Sequence, residues 1–233
     1  MILKNVTPTS LDDLVLKPAT RQMLNQIVSG QLPIGDDGQR GVLLHGINGT
    51  GKTTAAKLLP GLLDPLLDKP GFNGWWASPY LKEHQCGIGA NGAALIAELQ
   101  QILGVWTNRG TSGFVYFILN EVDELKTAAM DSLRGLMDRY EGGFYILTTN
   151  HLNRIERGVR DRCYVLDFDA APDCDWHKRI NQIVTSNGMQ PLGEDKLATL
   201  LEGTDGSARQ IISRLKAGAA NWEAPAREYF EKA

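Results

Sequence analysis

Apolar positions in the first 170 residues follow two alternating patterns. "VLLH" (42–45), "GFVYFIL" (113–119), "FYILTTN" (144–150) and "CYVLDF" (163–168) are unbroken apolar, aromatic and β-branched runs, the pattern of strands covered on both faces. Between them lie stripes at helical spacing. "KPATRQMLNQIVSG" (17–30) sets Leu24, Ile27 and Val28 on one face between Pro18 and Gly30, a residue pair suited to a helix start and stop. "GAALIAELQQILGVW" (92–106) and "KTAAMDSLRGLMDRY" (126–140) read the same way, and another helix runs from Lys52 through about Leu59. Residues 60–92, rich in Gly and Pro, resist this reading beyond a short strand at Trp75-Trp76.

After Asp169 the strand signal disappears. "DCDWHKRINQIVTSNG", "GEDKLATLLEG", "GSARQIISRLKAG" and "NWEAPAREYFEKA" all have helical spacing and are separated by glycines. The whole pattern predicts an α/β fold in which helices flank a parallel sheet. It further predicts a nucleotide-binding core over 1–170, a linker at "AAP" (170–172) and a small α-helical lid over 171–233.

Composition narrows the setting. A 42% hydrophobic, 22% charged chain with net charge −3 is ordinary for a globular protein. It excludes a broadly basic nucleic-acid-coating surface, so contact with DNA would need a local patch. Cys86, Cys163 and Cys174 show no paired spacing and predict reduced thiols. No apolar run approaches the roughly 18 residues of a membrane span, and "MILKNVTPTSLDDLVL" lacks the layout of a signal peptide. A soluble cytoplasmic protein with no membrane partner is expected.

The candidate chemistry begins at "GINGTGKTT" (46–54), between the strand "VLLH" and the next helix. Gly46, Gly49, Gly51, Lys52 and Thr53 satisfy GxxxxGK[ST]. Such a turn converges backbone N–H groups on phosphate at a helix N-terminus. Asn48, Thr50 and Thr54 complete it. Lys52 supplies charge to the outer phosphates and Thr53 a hydroxyl to Mg²⁺, so ATP with Mg²⁺ is the expected cofactor pair.

Downstream, "FVYFILNEVDEL" ends a buried strand in polar groups. Glu121 suits polarisation of an attacking water. Asn120 stands where an aspartate ordinarily helps hold the metal, leaving the metal site one negative charge short. Asp123 and Glu124 read as acids at a helix start. Asn150, at the end of "ILTTN", is placed to reach a γ-phosphate or orient the water. Arg154, Arg157, Arg160 and Arg162 crowd "NRIERGVRDRC", and Arg209 sits in the first turn of "SARQIISRL", a poor place for a cation unless an anion compensates it.

In this order, these elements resemble the AAA+ ATPases. The stretch from about 114 to 168 is similar to the clamp-loader group, comprising replication factor C-like and phage clamp-loader subunits. "NEVDELKTAAMDSLRGLMDRYEGGFYILTTN" resembles that group's hydrolysis strand, following helix and sensor strand. "VRDRCYVLDF" resembles its Ser-Arg-Cys segment, with Asp161 in the serine's place and Arg162 in the finger arginine's. "GSARQ" resembles its lid sensor, at Arg209.

The resemblance implies ATP hydrolysis at subunit interfaces, and homo- or hetero-oligomers with other AAA+ subunits. It also implies DNA and a sliding-clamp-like partner, in replication or repair, including phage-type accessory ATPases. Clamp-loader subunits usually continue into a helical collar; here the match ends with the lid. Met130 replaces a glutamine that couples DNA to hydrolysis, and Gly135 a second basic residue. Asn120 is tolerated in subunits that hydrolyse poorly, which keeps an ATP-dependent assembly switch as an alternative. "SPYLKEHQCGIGANGAALIAEL" (78–99) also resembles the pore-loop region of protein-remodelling AAA ATPases, with Gln85-Cys86 in place of the gripping aromatic.

Overall fold

A computed structural model describes residues 3–35, 38–64, 81–87, 92–105 and 114–219. Five strands, β1 (Gly41–His45), β2 (Leu81–Gln85), β3 (Val115–Asn120), β4 (Gly143–Thr149) and β5 (Cys163–Asp167), form one sheet in the order β2-β3-β4-β1-β5. Every neighbouring pair is parallel. Helices α1 (Pro18–Val28), α2 (Lys52–Leu63), α3 (Ala93–Val105), α4 (Thr127–Arg139) and the one-turn α5 (Arg157–Arg160) connect and cover it.

The unbroken apolar runs follow from this burial. Side chains alternate between the two faces of a strand, and both faces are covered. Phe117, Leu119, Tyr145 and Leu147 face one layer with Leu99 of α3 and Leu133 of α4. Tyr116, Ile118, Phe144 and Ile146 face the other with Leu24 of α1 and Leu59 of α2. All six residues of β3 and all seven of β4 are buried.

Two elements differ from expectation. Helix α2 continues past Leu59 to Leu63 with Pro60 inside it. Proline removes one helical N–H, but Leu59 is fully buried and Leu63 packs against the same core, and this packing carries the helix on. The second is β2, "LKEHQ", an edge strand with none of its residues fully buried. It pairs with β3 so that Gln85 lies opposite Asn120. The strand expected at Trp75-Trp76 and the last helix, at 221–233, lie outside the described residues.

Three helices follow the sheet: α6 (Asp173–Ser186), α7 (Glu194–Leu201) and α8 (Ala208–Ala219). Trp176, Ile180, Leu197, Ile211 and Leu215 pack together there, joined by Leu3 and Val6 from the N-terminal segment. Among the described residues, no helix is long and apolar enough to cross a membrane.

Candidate functional site

The phosphate turn is built by close backbone approach. Gly46 has φ +148°, and a Cβ there would lie 2.6 Å from the Phe168 carbonyl carbon. Gly49 has φ +86°, and a Cβ there would strike Ser207 Oγ. Only glycine fits either position. The turn is therefore clamped between the end of β5 and the start of α8, and the Arg209 N–H donates to the Gly49 carbonyl at 3.1 Å. Asp169, unmarked in the sequence reading, accepts from the Ile47 N–H at 2.9 Å and fixes the entry to the turn. His45, Asp167 and Asp169 bring ligand-type atoms within 4.8 Å of one another. Lys17 already bonds Asp167 at 2.7 Å, so this group serves as a strand-end clasp.

A cleft of about 310 Å³ opens over the turn. Asn48, Gly49, Thr50, Gly51, Lys52, Thr53 and Thr54 form its floor. Glu121 and Asn150 come from the ends of β3 and β4, and Arg209 from α8. Four segments distant in sequence thus converge as expected. Thr148, Trp176, Arg179 and Lys216 also line it, and the sequence reading missed them. The Arg179 guanidinium donates to Asp13 at 2.6 Å. Burial pushes the Asp13 carboxyl up, but hydrogen bonds from Thr9 and the Arg179 charge outweigh it and hold the group below its ordinary value.

Lys52 is buried, and its ammonium donates to the Gly46 and Ile47 carbonyls at 2.7 Å each. Burial brings its pKa down to about 8, with partial compensation from Asp169, Asp123 and Glu121. Glu121 adopts a left-handed backbone, φ +55°, a strained conformation for a residue with a Cβ. Its carboxylate accepts from Gln85 Nε2 at 2.6 Å. Asp123 and Glu124 lie in the first turn of a short 3-10 helix, Val122–Glu124, as the sequence reading expects. Asp123 also accepts from the Thr149 hydroxyl at 2.7 Å, which ties that helix to β4.

Two expected site residues do not reach the cleft. Asn120, assigned to the metal, is 4% exposed and absent from the lining. Its amide is committed to Glu83, at 3.0 Å, and to the Thr148 hydroxyl, at 3.2 Å. Arg162 is turned away as well. Its guanidinium bonds both Asp138 oxygens, at 2.5 and 2.8 Å, and the Gly158 carbonyl. Hydrogen bonding from Asp138 raises its already high pKa.

Of the pair that stands where a pore loop carries its gripping aromatic, Gln85 ends β2, and Cys86 is buried, its N–H bonded to the Asn120 carbonyl at 2.9 Å. Residues 88–91 lie outside the described residues. Met130 is buried against the sheet, and Arg134 bonds Glu156 at 3.1 Å.

Whole-chain comparison gives the same picture. No family model matches. "Replication factor C small subunit 1" of Pyrobaculum arsenaticum is 27% identical over 218 residues, covering 91% of this chain and 60% of that protein. "Replication factor C subunit 4" of Encephalitozoon cuniculi is 25% identical, over 93% of this chain and 64% of that one. The chain thus spans about three fifths of the length of these curated relatives. Among solved structures, the Thermotoga maritima RuvB Holliday junction branch migration motor superimposes with a TM-score of 0.67 at 14% identity, over 91% of this chain and 65% of that one. That likeness is one of fold. The resemblance to replication factor C-like AAA+ subunits holds along the chain, and the fold is the P-loop AAA+ core expected from the sequence.

Proposed function

We propose that this chain is a clamp-loader-like AAA+ ATPase subunit that binds ATP with Mg²⁺ in the cleft and hydrolyses it at interfaces with other AAA+ subunits. The observation that carries this reading is the convergence of the phosphate turn, Glu121, Asn150 and Arg209 on one cleft. In this reading the turn's N–H groups and Lys52 bind the phosphates and Thr53 holds the metal, which supplies charge neutralisation at the transferring phosphoryl group. Glu121 takes up a proton from the attacking water, and Asn150 orients that water. Arg209 ties the helices of 171–233, acting as a lid, to nucleotide held by 1–170. Arg162 serves a neighbour's site. The relatives' names support a setting in replication, and the sequence resemblance implies DNA and a sliding-clamp-like protein as partners.

Calorimetric titration with ATP·Mg²⁺ tests the reading: saturable binding supports it, and no heat with no thermal shift removes it. Glu121→Gln is expected to keep ATP affinity within about twofold, because the carboxylate acts on water and not on phosphate. It should also hold the protein in an ATP-bound assembly, read by light scattering. Lost ATP binding in that variant would move Glu121 out of its role.

A pH dependence follows from Lys52. Phosphate binds the ammonium form, and that form is lost from the unliganded protein above about pH 8. Binding must then take up a proton, so ATP affinity is expected to be flat near pH 7 and to fall by up to about tenfold per pH unit above that point. Equal affinities at pH 7 and 9.5 would show that Lys52 keeps its ammonium form in the unliganded site across this range.

A second reading has its own support. Asn120 is uncharged and Gln85 occupies the Glu121 carboxylate, which favours an ATP-dependent assembly switch with negligible turnover. Steady-state turnover, with and without DNA, separates the two.

A further inference from the structure

Glu83 lies on the outer strand, outside the cleft lining, yet a continuous chain of polar contacts runs from it to Glu121. Lys57 of α2 stands 3.0 Å from one Glu83 oxygen. The other oxygen accepts from Asn120 Nδ2 at 3.0 Å. The Thr148 hydroxyl donates to Asn120 Oδ1 at 3.2 Å, and its oxygen accepts from the Glu121 N–H at 3.2 Å.

The sense of every bond is fixed by its ends. A backbone N–H can only donate, so the hydroxyl proton turns toward Asn120. A carboxylate only accepts, so the Asn120 NH₂ turns toward Glu83. Asn120 and Thr148 are 4% and 3% exposed, which leaves little room for water to substitute for either bond. An amide, with one donor and one acceptor, fits between a carboxylate and a hydroxyl; a second carboxylate does not. At this spacing two carboxylates cannot both ionise.

We propose that Glu83 is a positioning residue for the site: it fixes Asn120 as an amide and, through Thr148, sets the strained Glu121 backbone at the rim of the cleft. The negative charge missing from the end of β3 stands one strand over, and positions 83 and 120 form a matched pair. Returning aspartate to position 120 therefore does not by itself restore a metal-holding strand end. Only the consequence for water activation rests on the proposed ATPase reading; the pair itself is a property of the unliganded chain.

The test uses Asn120→Asp, Glu83→Gln, Glu83→Ala and the double variant Asn120→Asp/Glu83→Gln, all without nucleotide. Lys57 on α2 contacts Glu83 directly, and Glu121 is joined to the pair through Thr148. Asn120→Asp creates a native-state carboxylate pair that retains a proton more tightly than the unfolded chain. Its stability deficit is therefore small at about pH 5 and grows as pH rises toward 8. The double variant gives position 120 an amide donor to face and is expected to recover most of the wild-type melting temperature and to lose that pH dependence.

Amide exchange supplies the local readout. The Glu121 N–H is expected to exchange about tenfold faster or more in Glu83→Ala and Asn120→Asp, and to return toward the wild-type rate in the double variant, with β1 amides unchanged. Purely additive melting shifts, or a Glu121 exchange rate indifferent to position 83, would overturn the proposal. ATP titration of the wild type decides the nucleotide reading separately, so neither failure can be mistaken for the other.

Discussion

Lys52→Ala is expected to abolish tight ATP binding. The ammonium lies at the centre of the turn, bonded to the Gly46 and Ile47 carbonyls, and burial has already removed most of its competing water. Truncating one partner of a buried, hydrogen-bonded charge pair costs on the order of 2–5 kcal/mol, roughly 30-fold to several-thousand-fold in affinity. No other cation substitutes in place. Arg179 is engaged by Asp13, and Arg209 and Lys216 reach the cleft from α8, not from within the turn. The fold is expected to tolerate the change, since burial opposes the Lys52 charge. Titration of ATP against Lys52→Ala, with the melting temperature of the unliganded protein as control, checks both halves. Unchanged affinity in a folded variant would remove the phosphate-turn assignment.

Arg162→Ala is expected to lose roughly 10³–10⁵ in turnover while keeping ATP affinity, the range for an arginine that meets transition-state charge from outside the site. The structure gives this prediction its geometry. Arg162 is absent from the cleft of its own chain, and Asp138 holds its guanidinium at the α4 end of the molecule through two hydrogen bonds. The guanidinium and its partner are 30% and 53% exposed, so the stability at stake is small, at most about 1 kcal/mol, and unfolding would not account for the loss.

Two further consequences follow from action in trans. Specific activity should rise with protein concentration as interfaces form. A mixture of Arg162→Ala with Glu121→Gln should recover activity, because the second variant still donates its arginine to the first one's intact Glu121. Concentration-independent activity, or no recovery despite confirmed mixed assembly, would leave Arg162 as the Asp138 partner and nothing more.

How far the sequence could be read depended on where each residue is buried. Strands β3 and β4 are covered on both faces, so their side chains are apolar up to the polar ends at Asn120, Thr148 and Thr149, and the runs were plain. Helix α1 announced itself through Pro18 and an amphipathic stripe. The phosphate turn was legible because Gly46 and Gly49 answer crowding from the Phe168 backbone and the Ser207 side chain, a constraint that fixes residue type at those two positions.

Edge strand β2 had no such constraint. "LKEHQ" is held by main-chain pairing to β3 and carries no apolar pattern. Everything attached to it was therefore hidden: Glu83 behind Asn120, and Gln85 on Glu121. In the sequence Asn120 reads as a deficit at the metal, because its partner Glu83 lies on a strand with no apolar pattern. Trp176, Arg179 and Lys216 escaped for another reason. Helical periodicity gives a face but not the neighbour across the cleft.

The strand order also has a consequence for the chain during synthesis. β1 carries the phosphate turn, yet it pairs only with β4 and β5, neither of which has been made when β1 leaves the ribosome. At roughly 5–20 residues per second, β1 waits for seconds until residue 149 has emerged, whereas β2, β3 and β4 dock in the order of their synthesis. The turn closes later still, once Asp169 holds Ile47 and the start of α8 reaches Gly49. On the proposed reading, a nascent chain is thus blind to nucleotide until two successive events are complete: β1 inserts beside β4 and β5, and the turn then closes on Asp169 and α8.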